Sequence, residues 1–401
     1  MNDPTPPTVD YPLPSGEHGA PSPLFDTLRR EHHLARIRTA SGQVTWLVTR
    51  HADITAIATD RRFSRDLTRG NTVALPRDDF NAVPGGIFNL DPPDHSRVRR
   101  ILQPHFSPAA AGALQPAVAA HAHRLIDALA QGPNPADLVA AYSRPLALHM
   151  ACELMRVPAE QRARIVGDLR VQMDTVAPSV LVGSSTAHLL EFADEVLATP
   201  PGSGPVAALT RAHEAGTISA DELRGTVMYL FLTSAEPVMG PTTTGVYTLT
   251  RHPDILHRLQ DSGDSDEPWD EAVWELLRFH HNSNSSLPRV ATEDVTLSGT
   301  TIRRGDHVIT PFVAASNDPA RFKAPHKFRT GRAAAEDPQV TFGSGPHYCL
   351  GVNIARMHLR TALRTLWQRL PRLTLAVKHQ DVPWEPREFL FTRPTHLPVV
   401  W

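Results

Sequence analysis

The chain of 401 residues carries 40 Lys plus Arg against 42 Asp plus Glu, a formal net charge of −2, and two cysteines. That length can bury a large core, and so balanced a charge excludes a polyelectrolyte that binds nucleic acid or an anionic membrane surface. No apolar run reaches the length of a bilayer span, residues 1–7 lack the basic and apolar parts of a signal peptide, and the two cysteines sit in contexts too different for a disulfide framework, so a cytoplasmic protein that handles small molecules or proteins is expected.

Residues 1–22, rich in Pro, Gly and Ser, read as a flexible tail, with a single domain over 23–401. Leu24 to Leu34 has the spacing of an amphipathic helix, and residues 35–39 and 44–49 alternate as two strands around the turn Ser41-Gly42. Ala52 to Thr59 reads as a short helix. From Phe63 to Asn89 periodicity gives way to turn residues, which marks a long loop of the functional kind. Asp91-Pro92-Pro93 then opens a helix in which His95 and Arg99 stand four residues apart on one face, two donors suited to a pair of carboxylates. Apolar positions are helical from Ala109 to Ala198, with breaks at residues 132–135, 157–158 and 177–178.

Ser219-Ala220-Asp221-Glu222 is a capping box that opens a long apolar helix over Leu223–Leu249. Inside it Pro237 cannot donate to the carbonyl of Thr233 and clashes with it, at about 3 kcal/mol in a helix interior, and Gly240-Pro241 adds a second breaker. A kink or opening is expected near residues 233–241. The next helical stretch, residues 269–279, holds Glu275 and Arg278 at i and i+3, by themselves an ordinary pair. The polar run Asn282, Ser283, Asn284, Ser285 and Ser286 reads either as a turn or as the lining of a pocket, and the adjacent His280 and His281 lack a third ligand at metal-site spacing. Strands are expected at 295–297 and 308–312, and again at 373–377 and 389–391.

The most specific stretch is Phe342-Gly343-Ser344-Gly345-Pro346-His347-Tyr348-Cys349-Leu350-Gly351. Its glycines let the backbone approach a flat or bulky group, and Pro346 stiffens the loop between them. Cys349 sits just before a helical run, where the dipole favours a thiolate able to ligate a metal. On that helix Arg356, Arg360 and Arg364 share one face, a solvated face by default.

The pattern Phe-x-x-Gly-x-His-x-Cys-x-Gly, preceded by Asp-Pro-Pro-x-His-x-x-x-Arg and Glu-x-x-Arg, resembles the cytochrome P-450 family of haem-thiolate enzymes over nearly the whole chain. The resemblance implies a mainly α fold with a smaller β lobe. It implies haem b, with Cys349 as the thiolate ligand of the iron and His95, Arg99, Arg289 and His347 on the propionates. Glu275, Arg278 and Arg332 become a structural trio, and Phe88, Thr233, the 282–286 run and Phe391 become pocket candidates, with Gln172, Met173 and Val176 in its roof. Electrons would come from NAD(P)H through a reductase and a ferredoxin, steered to a monomer by a basic patch of Arg99, Arg100, His347 and the three helix arginines.

One position departs from the family pattern. Its acid is kept as Glu236, but the threonine that holds the proton-delivering water is Pro237. With Glu236 and Pro237 as the catalytic positions, the missing donor would be a substrate hydroxyl, amide or indole N–H, or a water held by Glu236. The expected reaction is therefore oxidative coupling of an aromatic substrate such as a tryptophan-containing diketopiperazine. The rivals are conventional hydroxylation of a small metabolite and a non-enzymatic haem sensor or carrier.

Overall fold

The computed structural model describes residues 8–32, 34–39, 42–70, 83–158, 160–161, 164–280, 288–332, 340–386 and 388–401. Its helices are α1 (Leu24–Glu31), α2 (His51–Thr59), α3 (Asp94–Leu102), α4 (Pro108–Gln131), α5 (Arg144–Met155), α6 (Val166–Met173), α7 (Ser179–Ala198), α8 (Gly204–Glu214), α9 (Ala220–Thr233), α10 (Glu236–Thr250), α11 (Pro253–Gln260), α12 (Glu267–Phe279), α13 (Phe312–Ser316) and α14 (Val352–Arg369). None is long and apolar enough to cross a membrane. The strands are β1 (Thr8–Asp10), β2 (Leu34–Arg38), β3 (Val44–Val48), β4 (Phe63–Ser64), β5 (Ala136–Asp137), β6 (Arg289–Ala291), β7 (Val295–Leu297), β8 (Thr300–Ile302), β9 (His307–Ile309), β10 (Thr374–Leu375) and β11 (Pro398–Val400). They form a six-stranded sheet in the order β1-β2-β3-β9-β6-β4, a three-stranded sheet β10-β11-β5 and the hairpin β7-β8. The fold is thus mainly α with a smaller β lobe.

Apolar residues segregate into two cores. The larger one joins the long helices through Val118, Ile126, Leu146, Val246, Leu363 and Leu366, all fully buried. The smaller one packs α1 and α2 against the six-stranded sheet through Phe25, Ile37, Leu47, Ile54 and Ile309. Ordering begins earlier than the tail composition suggests. Thr8–Asp10 pairs in parallel with Arg36–Arg38, Tyr11 N donates to Arg38 O at 2.8 Å, and Leu13 is buried. An open strand edge recruits backbone groups whatever the side chains are, so a Pro-rich composition does not reveal it. The strand expected at 389–391 is not formed; Phe389 makes only an isolated bridge to Asp174, in a segment punctuated by Pro386 and Pro394.

The long apolar helix is split. Helix α9 opens with the capping box, in which Ser219 Oγ accepts from Glu222 N at 3.1 Å and Glu222 Oε2 from Ser219 N at 2.7 Å. It stops at Thr233, and α10 starts at Glu236 after the two-residue step Ser234-Ala235. Pro237 is then in the first turn of a new helix, where its lack of an N–H costs nothing. Beyond the step, Thr242, Thr243 and Thr244 donate back to the carbonyls of Val238, Met239 and Gly240 at 2.9, 3.1 and 3.1 Å, which lets buried hydroxyls sit in a helix interior. Gly245 brings α10 against α14 and α12: a Cβ there would stand 3.0 Å from Leu363 and 3.4 Å from Leu276. That close approach sets the split helix against the helix that begins at the cysteine loop.

Glu275, Arg278 and Arg332 meet in the interior. Glu275 accepts from Arg278 Nε and Nη2 at 2.8 Å each and from Arg332 Nε at 2.9 Å. The remaining arginine donors reach the carbonyls of Ser316, Pro325, Lys323, Ala324 and Lys327. Glu275→Gln strips two buried guanidiniums of their counter-charge and should cost about 3–5 kcal/mol in denaturant unfolding. His358, fully buried on α14 with neither ring nitrogen hydrogen-bonded, is held by burial to a pKa of about 4. The unfolded chain therefore binds the proton first as pH drops, so stability is full above the unfolded value and falls between pH 6.5 and about 4. His358→Leu should raise the melting temperature at neutral pH and flatten that acid limb in melts taken across the window.

Candidate active site

The cysteine loop is shaped by its own backbone. Cys349 N donates to Phe342 O at 2.9 Å, Gly343 N to Val340 O at 2.8 Å and Tyr348 N to Gly345 O at 3.0 Å. Gly343 and Gly345 have φ of +81° and +70°, and a Cβ on Gly345 would lie 2.4 Å from the Ala58 carbonyl of α2. Phe342 stacks on Trp274 of α12 with centroids 6.0 Å apart, and Asn353 ties the start of α14 to Phe106 O at 3.0 Å. Burial pushes the Cys349 thiol up in pKa more than the Gly351 N–H and nearby Arg99 bring it down. Burial thus opposes the thiolate that a helix N-terminus favours, and a cation ligated at the sulfur would offset it.

Beside this loop five nitrogen-bearing side chains converge from four segments. Arg65 follows β4, fully buried, and its Nε donates to Phe88 O at 3.0 Å. Arg289 of β6 donates to Phe63 O at 3.1 Å. His95 of α3 and His347 of the loop have ring centroids 4.1 Å apart, and Arg99 stands one turn on from His95. Burial, then Arg289, brings Arg65 down to about 9; burial brings Arg289 down to about 10; burial, then Arg99, brings His95 down to about 4. His347 is pushed well below its ordinary value by burial and then by His95 and the three arginines.

Asp91 is the carboxylate among the described residues that offsets this charge, and it already accepts from Arg65 N at 2.9 Å and from Ser64 Oγ. His95 Nδ1 and His347 Nε2 are buried without a hydrogen-bond partner. So many buried donors with so little negative charge are the complement of a dianion, and the set fits a haem whose two propionates enter it. Sequence reasoning found four of the five. Arg65 escaped it because a lone arginine at the head of an aperiodic loop gives no sign of burial.

The loop 83–89, which Arg65 meets at Phe88 O, is pressed onto α9. A Cβ on Gly225 would come 2.4 Å from Pro84 O, Phe88 meets Tyr229 edge-on at 5.0 Å, and Asn89 Nδ2 donates to the Tyr229 hydroxyl at 3.0 Å. Thr233 Oγ1 donates to Tyr229 O at 2.8 Å and Ser234 Oγ to Phe231 O at 3.3 Å. Glu236 does not stand alone as a water holder: its Oε2 accepts from Arg393 Nη1 at 2.6 Å, in an ion pair whose side chains are 8% and 1% exposed. A buried carboxylate signals the need for such a partner, but not which of many arginines supplies it.

Phe391 is packed into the larger core, and Asn282, Ser283, Asn284, Ser285 and Ser286 lie outside the described residues. Of the roof candidates, Gln172 is a buried tie from α6 to Ser185 and Thr186 of α7 at 2.6 and 3.0 Å, Met173 is core and Val176 is exposed. The basic patch on α14 is also corrected. Arg360 donates to Asp270 at 2.7 Å, Arg364 pairs with Asp266, and Arg356 lies over the Trp274 ring, so acids at the start of α12 pair with two of the three arginines on that face.

Arg65→Met and Arg289→Met should each lower the fraction of purified protein that holds haem, while far-ultraviolet circular dichroism keeps its helical signal. Full haem content in both variants would remove the arginines from the cradle.

A model of the family described as Cytochrome P450 matches residues 205–398. Nocardicin C N-oxygenase of Nocardia uniformis subsp. tsuyamanensis is 33% identical over 94% of this chain and 95% of its own, and mycinamicin IV hydroxylase/epoxidase of Micromonospora griseorubida is 32% identical over 94% of each. Among solved structures, cytochrome P450mel 107F1, described as having biaryl coupling reactivity, superposes with a TM-score of 0.87 at 29% identity, covering 98% of this chain and 100% of that one. With a cysteine loop, a dianion cradle and relatives of this likeness along nearly its full length, the chain belongs to the cytochrome P450 family of oxidoreductases, whose cofactor is haem b.

Proposed function

We propose that the protein is a secondary-metabolism oxidoreductase that couples an aromatic substrate oxidatively, with a tryptophan-containing diketopiperazine as the substrate class. Cys349 would ligate the iron, and His95, Arg99, Arg289 and His347, joined by Arg65, would hold the propionates through charge-assisted hydrogen bonds. When bound, the haem supplies the oxidising power, fed by NAD(P)H through a ferredoxin reductase and a ferredoxin.

The observation that carries the reaction type is the step between α9 and α10. Pro237 has no donor, Thr233 and Ser234 spend their hydroxyls on helix carbonyls, and Glu236 is engaged by Arg393. The proton donor for oxygen activation is then a hydroxyl, amide or indole N–H of the substrate, or a water held by Glu236, whose Oε2 alone is taken by Arg393. Proton donation by itself oxidises nothing; coupling further requires the loss of two hydrogen atoms from the substrates, for which the haem would supply the oxidising power. Phe88, anchored on Tyr229, supplies an aromatic wall for the substrate.

The structural neighbour with biaryl coupling reactivity supports this reading. A second reading, hydroxylation of a small metabolite, is supported by the N-oxygenase and hydroxylase/epoxidase relatives. Titration with aromatic cyclic dipeptides should shift the haem spin-state band, and product mass separates the readings: coupling loses hydrogens, hydroxylation gains oxygen. With a turned-over substrate in hand, Pro237→Thr should lower the coupled product and raise the hydroxylated one. An unchanged product ratio would deny Pro237 a mechanistic role.

A further inference from the structure

Four side chains of alternating charge run from the surface to the start of α10. Arg170 on α6, 44% exposed, donates to Glu385 at 3.1 Å. Glu385, 5% exposed, faces Arg393 Nη2 at 3.6 Å, and Arg393 Nη1 donates to Glu236 at 2.6 Å. The guanidinium carbons of Arg170 and Arg393 lie over the ring of Phe389, at 4.9 and 5.2 Å from its centroid. The backbone runs with them: Leu390 N donates to Met173 O at 2.6 Å and Thr175 N to Glu388 O at 2.7 Å. The end of α6 and the C-terminal residues 384–386 and 388–394 are thus tied together, and Arg393 among them grips Glu236.

We propose that Arg393 is the positioning residue of Glu236, and that Arg170, Glu385 and Arg393 form an ionic strut through which the seating of α6 fixes that carboxylate. The catalytic part of this rests on the reading of Glu236 as the acid used in oxygen activation. Glu236 is the first residue after the helix step, so backbone continuity with α9 does not set its position. A buried carboxylate there needs a cation, and the guanidinium of Arg393 turns Nη1 to Glu236 and Nη2 to Glu385. The link from Arg393 to Glu385 is the slack one, an ion-pair distance without a hydrogen bond, which leaves travel for α6 to tighten or release.

Hydrogen–deuterium exchange on the haem-loaded protein without substrate tests the strut. Arg393→Gln should speed exchange by about tenfold in three separated stretches, 170–176, 233–238 and 384–394. Glu385→Gln, a milder change, should act on 170–176 and 384–394 and less on 233–238. Faster exchange confined to 384–394 in Arg393→Gln would overturn the strut. The solvent isotope effect on NADPH oxidation, measured with a ferredoxin and its reductase, tests the positioning. Arg393→Gln should move it to the value of Glu236→Gln, and Arg393→Lys should return it part of the way, which a loss of stability alone does not do. If Glu236→Gln itself leaves the isotope effect unchanged, the reading of Glu236 as the acid fails, while propagated exchange still supports the strut.

Discussion

A hydrogen bond that cannot form organises the split central helix and the segments that pack on it. Pro237 has no N–H to offer the Thr233 carbonyl, so the central helix stops at Thr233 and restarts at Glu236. The restart makes Glu236 a first-turn residue, where a carboxylate favours the helix dipole but lacks a helical scaffold before it. Its burial demands a cation, and Arg393 meets that demand from the C-terminal segment. Through Glu385 and the backbone pairing with residues 173–175 the consequence reaches α6. One missing donor thus ties three distant parts of the chain together.

The protein buries charge in two contrasting ways. Around Glu275 the account is closed: one carboxylate serves two guanidiniums, and the other donors find main-chain carbonyls. Beside the cysteine loop it is left open: among the described residues arginines and histidines outnumber the carboxylate Asp91, and burial drives their pKa values down. The first arrangement is stable by itself and suits a scaffold. The second stores a deficit that only an anionic group can cancel, which suits a cofactor bearing two carboxylates.

Local chemistry made much of the site legible in the sequence. The cysteine loop could be identified because glycine at positive φ and a stiffening proline are single-residue properties, and His95 with Arg99 because helical spacing fixes a shared face. The break of the central helix followed from proline chemistry. What stayed hidden were pairings between remote segments. Arg65 and Arg393 look like any other arginine until the fold buries them, while Arg360 and Arg364, regular along their own helix, meet the acids flanking α12.

The sequence by itself determined the family's cysteine loop, the cofactor class that the loop implies, the mainly α fold and the place where the central helix must open. These depend on backbone freedom, on donor count and on periodicity, all of which are written residue by residue. Tertiary structure alone decided which arginines are interior, that Glu236 is held by Arg393, and that two of the three arginines on the face of α14 are paired with acids. Whether a charge is worth burying depends on which opposite charge the rest of the chain brings within about 3 Å, and no local pattern encodes that.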